Sequence, residues 1–193
     1  IGATLGATVG TAFSSANQIP NLVTEIVLGA VLTSLVVPVL VRAEKEDTDR
    51  GETFVRRLFT LAFSILGIVT IASVVLAPFL TRMMLPEDSK ANAVQATSLA
   101  FLLLPQILFY GLFALFQAVL NTKNIFGPGA WAPVINNVIS ISVLLAYRFL
   151  PGELDPHDPT PVADPHVMLL GLGTTTAVMV QCLILLPLSL IHI

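Results

Sequence analysis

The chain has 193 residues, 55% of them hydrophobic and only 11% charged, with a net charge of −3 and a mean hydropathy of +0.88. Soluble domains carry about 25% charged residues, so this composition excludes a soluble globular protein and calls for a hydrocarbon environment. The single cysteine, Cys182, lies in an apolar run, which excludes a disulfide framework and a thiolate metal site. No nucleic-acid partner and no cofactor are expected.

Residues 1–24 contain no charge but lack a basic n-region, so they do not read as a signal peptide. They are rich in Gly, Ala and Ser and read as the tail of a helix over about 1–19, ending at Pro20. The chain begins at Ile1 without Met and stops inside an apolar run at Ile193, as expected of a piece of a longer protein. Further helices are expected at about 22–43, 54–84, 91–121, 128–149 and 166–191, each long enough for the ~20 apolar residues of a membrane span. The fold class is therefore an all-α polytopic membrane protein with about six transmembrane helices.

In the 22–43 span, Asn21, Glu25, Gly29 and Thr33 recur every four residues as a polar and small-residue stripe. Glu25 is the only acid inside a span. A carboxylate at membrane depth costs a few kcal/mol unless it has a partner, a proton or water. It reads either as a cavity carboxylate or as an interfacial residue one turn from the helix start.

The 44–53 loop and its flanks hold Arg42, Lys45, Arg50, Arg56 and Arg57, five of the nine basic residues. The positive-inside rule makes that loop cytoplasmic. Alternation then puts 85–90 and 151–165 outside and 122–127 inside.

Residues 91–122 run without one Asp, Glu, Lys or Arg, yet include Gln95, Gln106, Tyr110, Gln117 and Asn121. On a straight helix these five fall at roughly 0°, 20°, 60°, 40° and 80°. They share one face, expected to look into protein or a water-filled cavity. In 128–149, Pro133, Asn136, Ser140 and Tyr147 lie in a narrow arc with Asn137 beside them, and in 166–191 Gly171, Thr174 and Gln181 share a face. Interhelical hydrogen bonding explains any one of these, while their joint occurrence favours a shared polar interior.

Residues 151–165 hold five prolines and four acids without hydrophobic periodicity, and read as a mobile external loop. His157 between Asp155 and Asp158 could be drawn as a metal site, but no regular element presets its geometry, and no metal is expected. No Gly-rich phosphate loop, zinc signature or nucleophile motif occurs, so no catalytic residue is assigned.

Residues 16–43 carry I-P-N-L at 19–22 after a small-residue helix, V-P-V-L at 37–40 and then a charged loop. This stretch resembles the MurJ/MviN family of bacterial lipid II flippases. The resemblance continues through F-V-R-R-L at 54–58, L-L-L-P-Q-I-L-F-Y-G-L at 102–112, A-V-L-N-T-K-N-I-F-G-P at 118–128, A-P-V-I-N-N at 132–137 and L-G-L-G-T-T at 170–175. It implies a transporter of the multidrug/oligosaccharidyl-lipid/polysaccharide exporter superfamily, with two six-helix lobes around a central cavity and alternating access. This chain would form most of the first lobe, in the bacterial cytoplasmic membrane.

The implied partners are a lipid-linked oligosaccharide, membrane lipids, the second lobe and cell-wall synthesis proteins. The implied substrate-cavity candidates are Asn21, Glu25, Gln106, Gln117, Asn121, Asn136 and Asn137. The chain departs from the family at Thr24 and Glu25, where many members carry two basic residues, at Gly29 in place of an acid, and at Thr11 in place of an acid before Ala12-Phe13. Two other readings stand beside a lipid II flippase: an exporter of another polyprenyl-linked glycan or a drug, and a non-transporting scaffold for cell-wall synthesis.

Overall fold

The computed structural model describes residues 7–29, 52–85, 92–152, 154–155 and 160–192, and every regular element among them is helical. The helices are α1 (Ala7–Thr24), α2 (Glu52–Val75), α3 (Ala77–Met84), α4 (Ala93–Leu103), α5 (Gln106–Thr122), α6 (Gly127–Phe149) and α7 (Pro165–His192), with a π-helical turn over Glu25–Gly29 after α1. Most of the expected 22–43 helix and residues 44–51 lie outside the described residues.

The helix expected to end at Pro20 runs through it to Thr24. Val9, Phe13, Ala16 and Ile19, at helical spacing, are all buried on one side of α1, so packing holds the helix together across the proline. The Thr24 hydroxyl donates to the Pro20 carbonyl at 2.8 Å. Proline's missing N–H removes a single bond, which a packed membrane helix tolerates.

The expected 54–84 helix is instead two, α2 and α3, broken at Leu76. Pro78 has no N–H to offer the carbonyl of Val74 and sits in the first turn of α3, where that absence costs nothing. The expected 91–121 helix also divides. α4 and α5 meet at Leu104 and Pro105 with a bend of 42°. α5 ends with Asn124 at φ 60°, where the Ile125 N–H bonds the Leu120 carbonyl at 2.9 Å and the Asn124 N–H bonds that of Asn121 at 3.1 Å. This is a Schellman stop with asparagine in the left-handed position.

Among the described residues, Thr53–Val75, Gly127–Phe149 and Pro165–Pro187 are each long and apolar enough to cross a membrane, and the bent α4–α5 pair passes the same test only when its two helices are taken together, as a broken span or a re-entrant loop. α7 lies at the centre. A methyl on Gly171 would come within 2.5 Å of the Leu102 Cβ of α4, and one on Gly173 within 2.7 Å of both Val143 methyls of α6. The two glycines thus let α4 and α6 close on opposite sides of α7.

The outer faces suit lipid. Val134, Val138, Ile141, Leu145 and Phe149 form an exposed stripe along α6, and Leu61, Ile65, Ile68 and Val75 are exposed on α2. Such a surface is untenable in water and matches hydrocarbon.

The 151–165 connection is tied down where it is described, against the expectation of a mobile loop. Leu154 and Thr160 are buried. Gln95 donates to the Thr160 hydroxyl at 3.1 Å, and Ser98 donates to the Thr160 carbonyl at 2.8 Å. Asp164 caps α7, its carboxylate accepting from the His166 N–H at 2.8 Å. His166 meets Tyr147 edge-on, ring centroids 5.2 Å apart. His157 and Asp158 lie outside the described residues.

Candidate functional site

A half-open cavity of about 240 Å³ lies between α1, α5, α6 and α7. Asn17 comes from α1, Tyr110 from α5, Asn136, Asn137 and Ser140 from α6, and Thr174 from α7, with Phe13, Leu144 and Val178 as its apolar wall. The local sequence explains the convergence. On α6, Asn136 and Ser140 are one turn apart on the side away from the lipid stripe. On α1, Asn17 follows the buried Phe13 by one turn.

The chamber is lined by uncharged amides and hydroxyls that bring both donors and acceptors. The Oδ1 atoms of Asn17 and Asn136 are buried without a hydrogen-bond partner. The Thr174 hydroxyl donates to the Leu170 carbonyl at 2.6 Å, so within the cavity it can only accept. Tyr110 pairs with the side chain of Asn21. Among the described residues, no Asp, Glu, Lys or Arg lines the chamber.

Of the candidates from the sequence, Asn136 and Asn137 line this cavity, and Asn21 joins it through Tyr110. Asn21 and Glu25 are exposed and, with Gln18, form a polar stripe at i, i+3 and i+7. Gln106 lies elsewhere: it is fully buried and donates to the Thr175 hydroxyl at 3.0 Å. Gln117 is half-buried against Gly129, and Asn121 is exposed at the end of α5. The single polar face expected along 91–122 is therefore interrupted. The 42° bend separates Gln95 from the rest, and Gln95 is fully buried against Thr160.

Asn17, Ser140 and Thr174 complete the chamber without being among the sequence-derived site candidates. The available signal was Asn17 standing one turn before Asn21 in an otherwise uncharged run. Among the described residues, no cluster of His, Cys, Asp or Glu could hold a metal ion.

Membrane-length helices with apolar outer faces around a half-open polar chamber define a polytopic α-helical membrane protein. The family model "Lipid II flippase MurJ" matches residues 1–192. The chain belongs to the MurJ lipid II flippase family. A relative from Bdellovibrio bacteriovorus (strain HD100), described as "Probable lipid II flippase MurJ", is 26% identical over 122 residues. That alignment covers 61% of this chain and 23% of the relative, so the chain spans only a fraction of that relative's length. No solved structure matches it.

Proposed function

We propose that this chain forms most of one lobe of a flippase that carries a polyprenyl-linked peptidoglycan precursor across the bacterial cytoplasmic membrane. The observation that carries this reading is the family match along residues 1–192. The exposed stripe of Gln18, Asn21 and Glu25 on an otherwise apolar bundle supports it, because lipid cannot hydrogen-bond these groups. With Asn137, also exposed, that stripe is the part of the lobe suited to face a polar headgroup and a second lobe.

The 44–53 loop is cytoplasmic and the 151–165 loop external in this reading. The two lobes rock to expose the path to each leaflet in turn, as in repeat-built transporters. The process moves a lipid without making or breaking covalent bonds. A pyrophosphate headgroup calls for cationic partners, and the described residues that line the chamber include none; in this reading those charges come from outside the described lining. Gln106, Gln117 and Asn121 then serve as lobe-wall residues.

Depletion of the full-length protein tests the reading. Lipid-linked precursor should accumulate in the inner leaflet, measured by its accessibility to a membrane-impermeant precursor-cleaving toxin. Undiminished outer-leaflet delivery would overturn the flippase assignment and favour the scaffold reading, to which Glu25, in place of the family's usual basic residue, also points.

A further inference from the structure

We infer that the chamber between α1, α5, α6 and α7 is a subsite for one neutral sugar ring of the lipid-linked headgroup. The inference rests on the flippase reading and deepens it, by giving the sugar and the diphosphate different places. Asn17 and Asn136 both line the chamber, and the Oδ1 atom of each is buried without a hydrogen-bond partner. Buried acceptors that lack a donor cost stability. The chamber therefore calls for an occupant that brings O–H or N–H groups.

The rest of the described lining selects among such occupants. Carboxamides and hydroxyls as a set both donate and accept, and they converge from four helices: Asn17, Tyr110, Asn136 with Ser140, and Thr174. Thr174, its proton committed to Leu170, serves there as an acceptor. A ring whose own hydroxyls donate and accept in several directions matches that pattern. Phe13, Leu144 and Val178 supply an apolar wall for its C–H face. A volume of about 240 Å³ falls below the ~300 Å³ at which drug-sized pockets begin, so it suits one ring and not a whole headgroup.

A diphosphate is held by charge-assisted bonds, and none of the described lining residues is charged. The sugar is the part of the headgroup that such a lining recognises. Position agrees with chemistry. Tyr110 lines the chamber and pairs with Asn21, which stands on the exposed stripe with Gln18 and Glu25. A headgroup moving along that stripe is one side chain away from the chamber.

The test compares two probes, a polyprenyl diphosphate and the same lipid carrying one N-acetylglucosamine, bound to the full-length protein in lipid nanodiscs. The parent should hold the sugar-bearing lipid about tenfold more tightly, the worth of one or two net hydrogen bonds. Asn136→Leu should bring that ratio close to one. Ser140→Ala should lower it, and provides the comparison if Asn136→Leu fails to fold. Gly67→Ala, where an added Cβ meets nothing within 4 Å, should keep the parental ratio. Equal binding of both lipids by the parent would overturn the sugar subsite, leaving the flippase reading in place and water only in the chamber. A parental ratio in Asn136→Leu and Ser140→Ala alike would also overturn it and move sugar recognition elsewhere. Binding of neither lipid would overturn the flippase reading, and the subsite with it.

Discussion

The amide of Gln106 donates to the hydroxyl of Thr175 at 3.0 Å, and that hydroxyl donates onward to the carbonyl of Leu102 at 2.6 Å. This relay crosses the break between α4 and α5, where Pro105 removes a backbone donor. Broken helices survive in membranes when neighbouring helices re-satisfy the freed backbone groups, and here α7 does so from 73 positions away.

Thr175→Val should therefore destabilise more than a single average interhelical hydrogen bond, which is worth ~0.6 kcal/mol. Both the Leu102 carbonyl and the Gln106 amide lose a partner, so a loss of about 1–2 kcal/mol is expected. Thr175→Ser, which keeps the hydroxyl, should stay close to the parent. Thermal unfolding of the detergent-solubilised full-length protein checks this, and equal melting temperatures for the Val and Ser variants would remove the relay from the stability of the bend.

The glycines of α7 make a sharper prediction. Gly171→Val and Gly173→Val push side chains into Leu102 and Val143, and such overpacking costs about 1–3 kcal/mol each. Gly67, where an added Cβ meets nothing within 4 Å, provides the contrast. Gly67→Ala should be neutral or stabilising by up to ~1 kcal/mol through helix propensity. The three melting temperatures, measured side by side, decide whether the interior of α7 or glycine content in general sets the packing.

What the sequence made legible, and what it hid, follows from the range of the forces involved. The arc of Asn136 and Ser140 opposite the apolar stripe of α6 is local periodicity, and both residues do line the chamber. Pro20 and Pro105 carry equal weight as breakers in the sequence, yet α1 runs through the first and the chain bends at the second. The difference lies in partners far along the chain. Gln95 and Gln106 look like members of one wet face, but Thr160 and Thr175, more than sixty positions on, take them up. Asn17 was inconspicuous because its place in the chamber depends on α5, α6 and α7, which close around it from far along the chain.

The docking of the 151–165 segment on α4 predicts a protease effect. Ser98→Ala removes the bond to the Thr160 carbonyl, and Asp164→Ala removes the α7 cap, worth about 1 kcal/mol. The double variant should be cleaved faster within 151–165 than the parent. Equal cleavage rates would show that these contacts do not restrain the segment.

Topology is open to direct labelling. Cysteines introduced at the exposed positions Thr53 and Pro151, with the buried Cys182 as background, should differ in intact cells. A membrane-impermeant maleimide is expected to react at residue 151 and to reach residue 53 only after permeabilisation. The reverse pattern would invert the orientation drawn from the basic residues near 44–53.

Glu25 gives the most direct test of the proposed transport reading. It is exposed at the start of the π-helical turn and shares a stripe with Gln18 and Asn21, so its replacement disturbs little packing, and exposed substitutions generally stay within about 0.5 kcal/mol. Glu25→Gln should leave the melting temperature of the full-length protein unchanged. If the stripe faces the headgroup path, the same substitution lowers the rate of outer-leaflet delivery and impairs growth when it replaces the chromosomal copy. Glu25→Arg, which installs the basic side chain many family members carry at this position, tests the sign. A cation facing an anionic pyrophosphate should raise delivery above that of Glu25→Gln. Parent-like delivery by both variants would return Glu25 to an interfacial role and move the headgroup path to another face of the lobe.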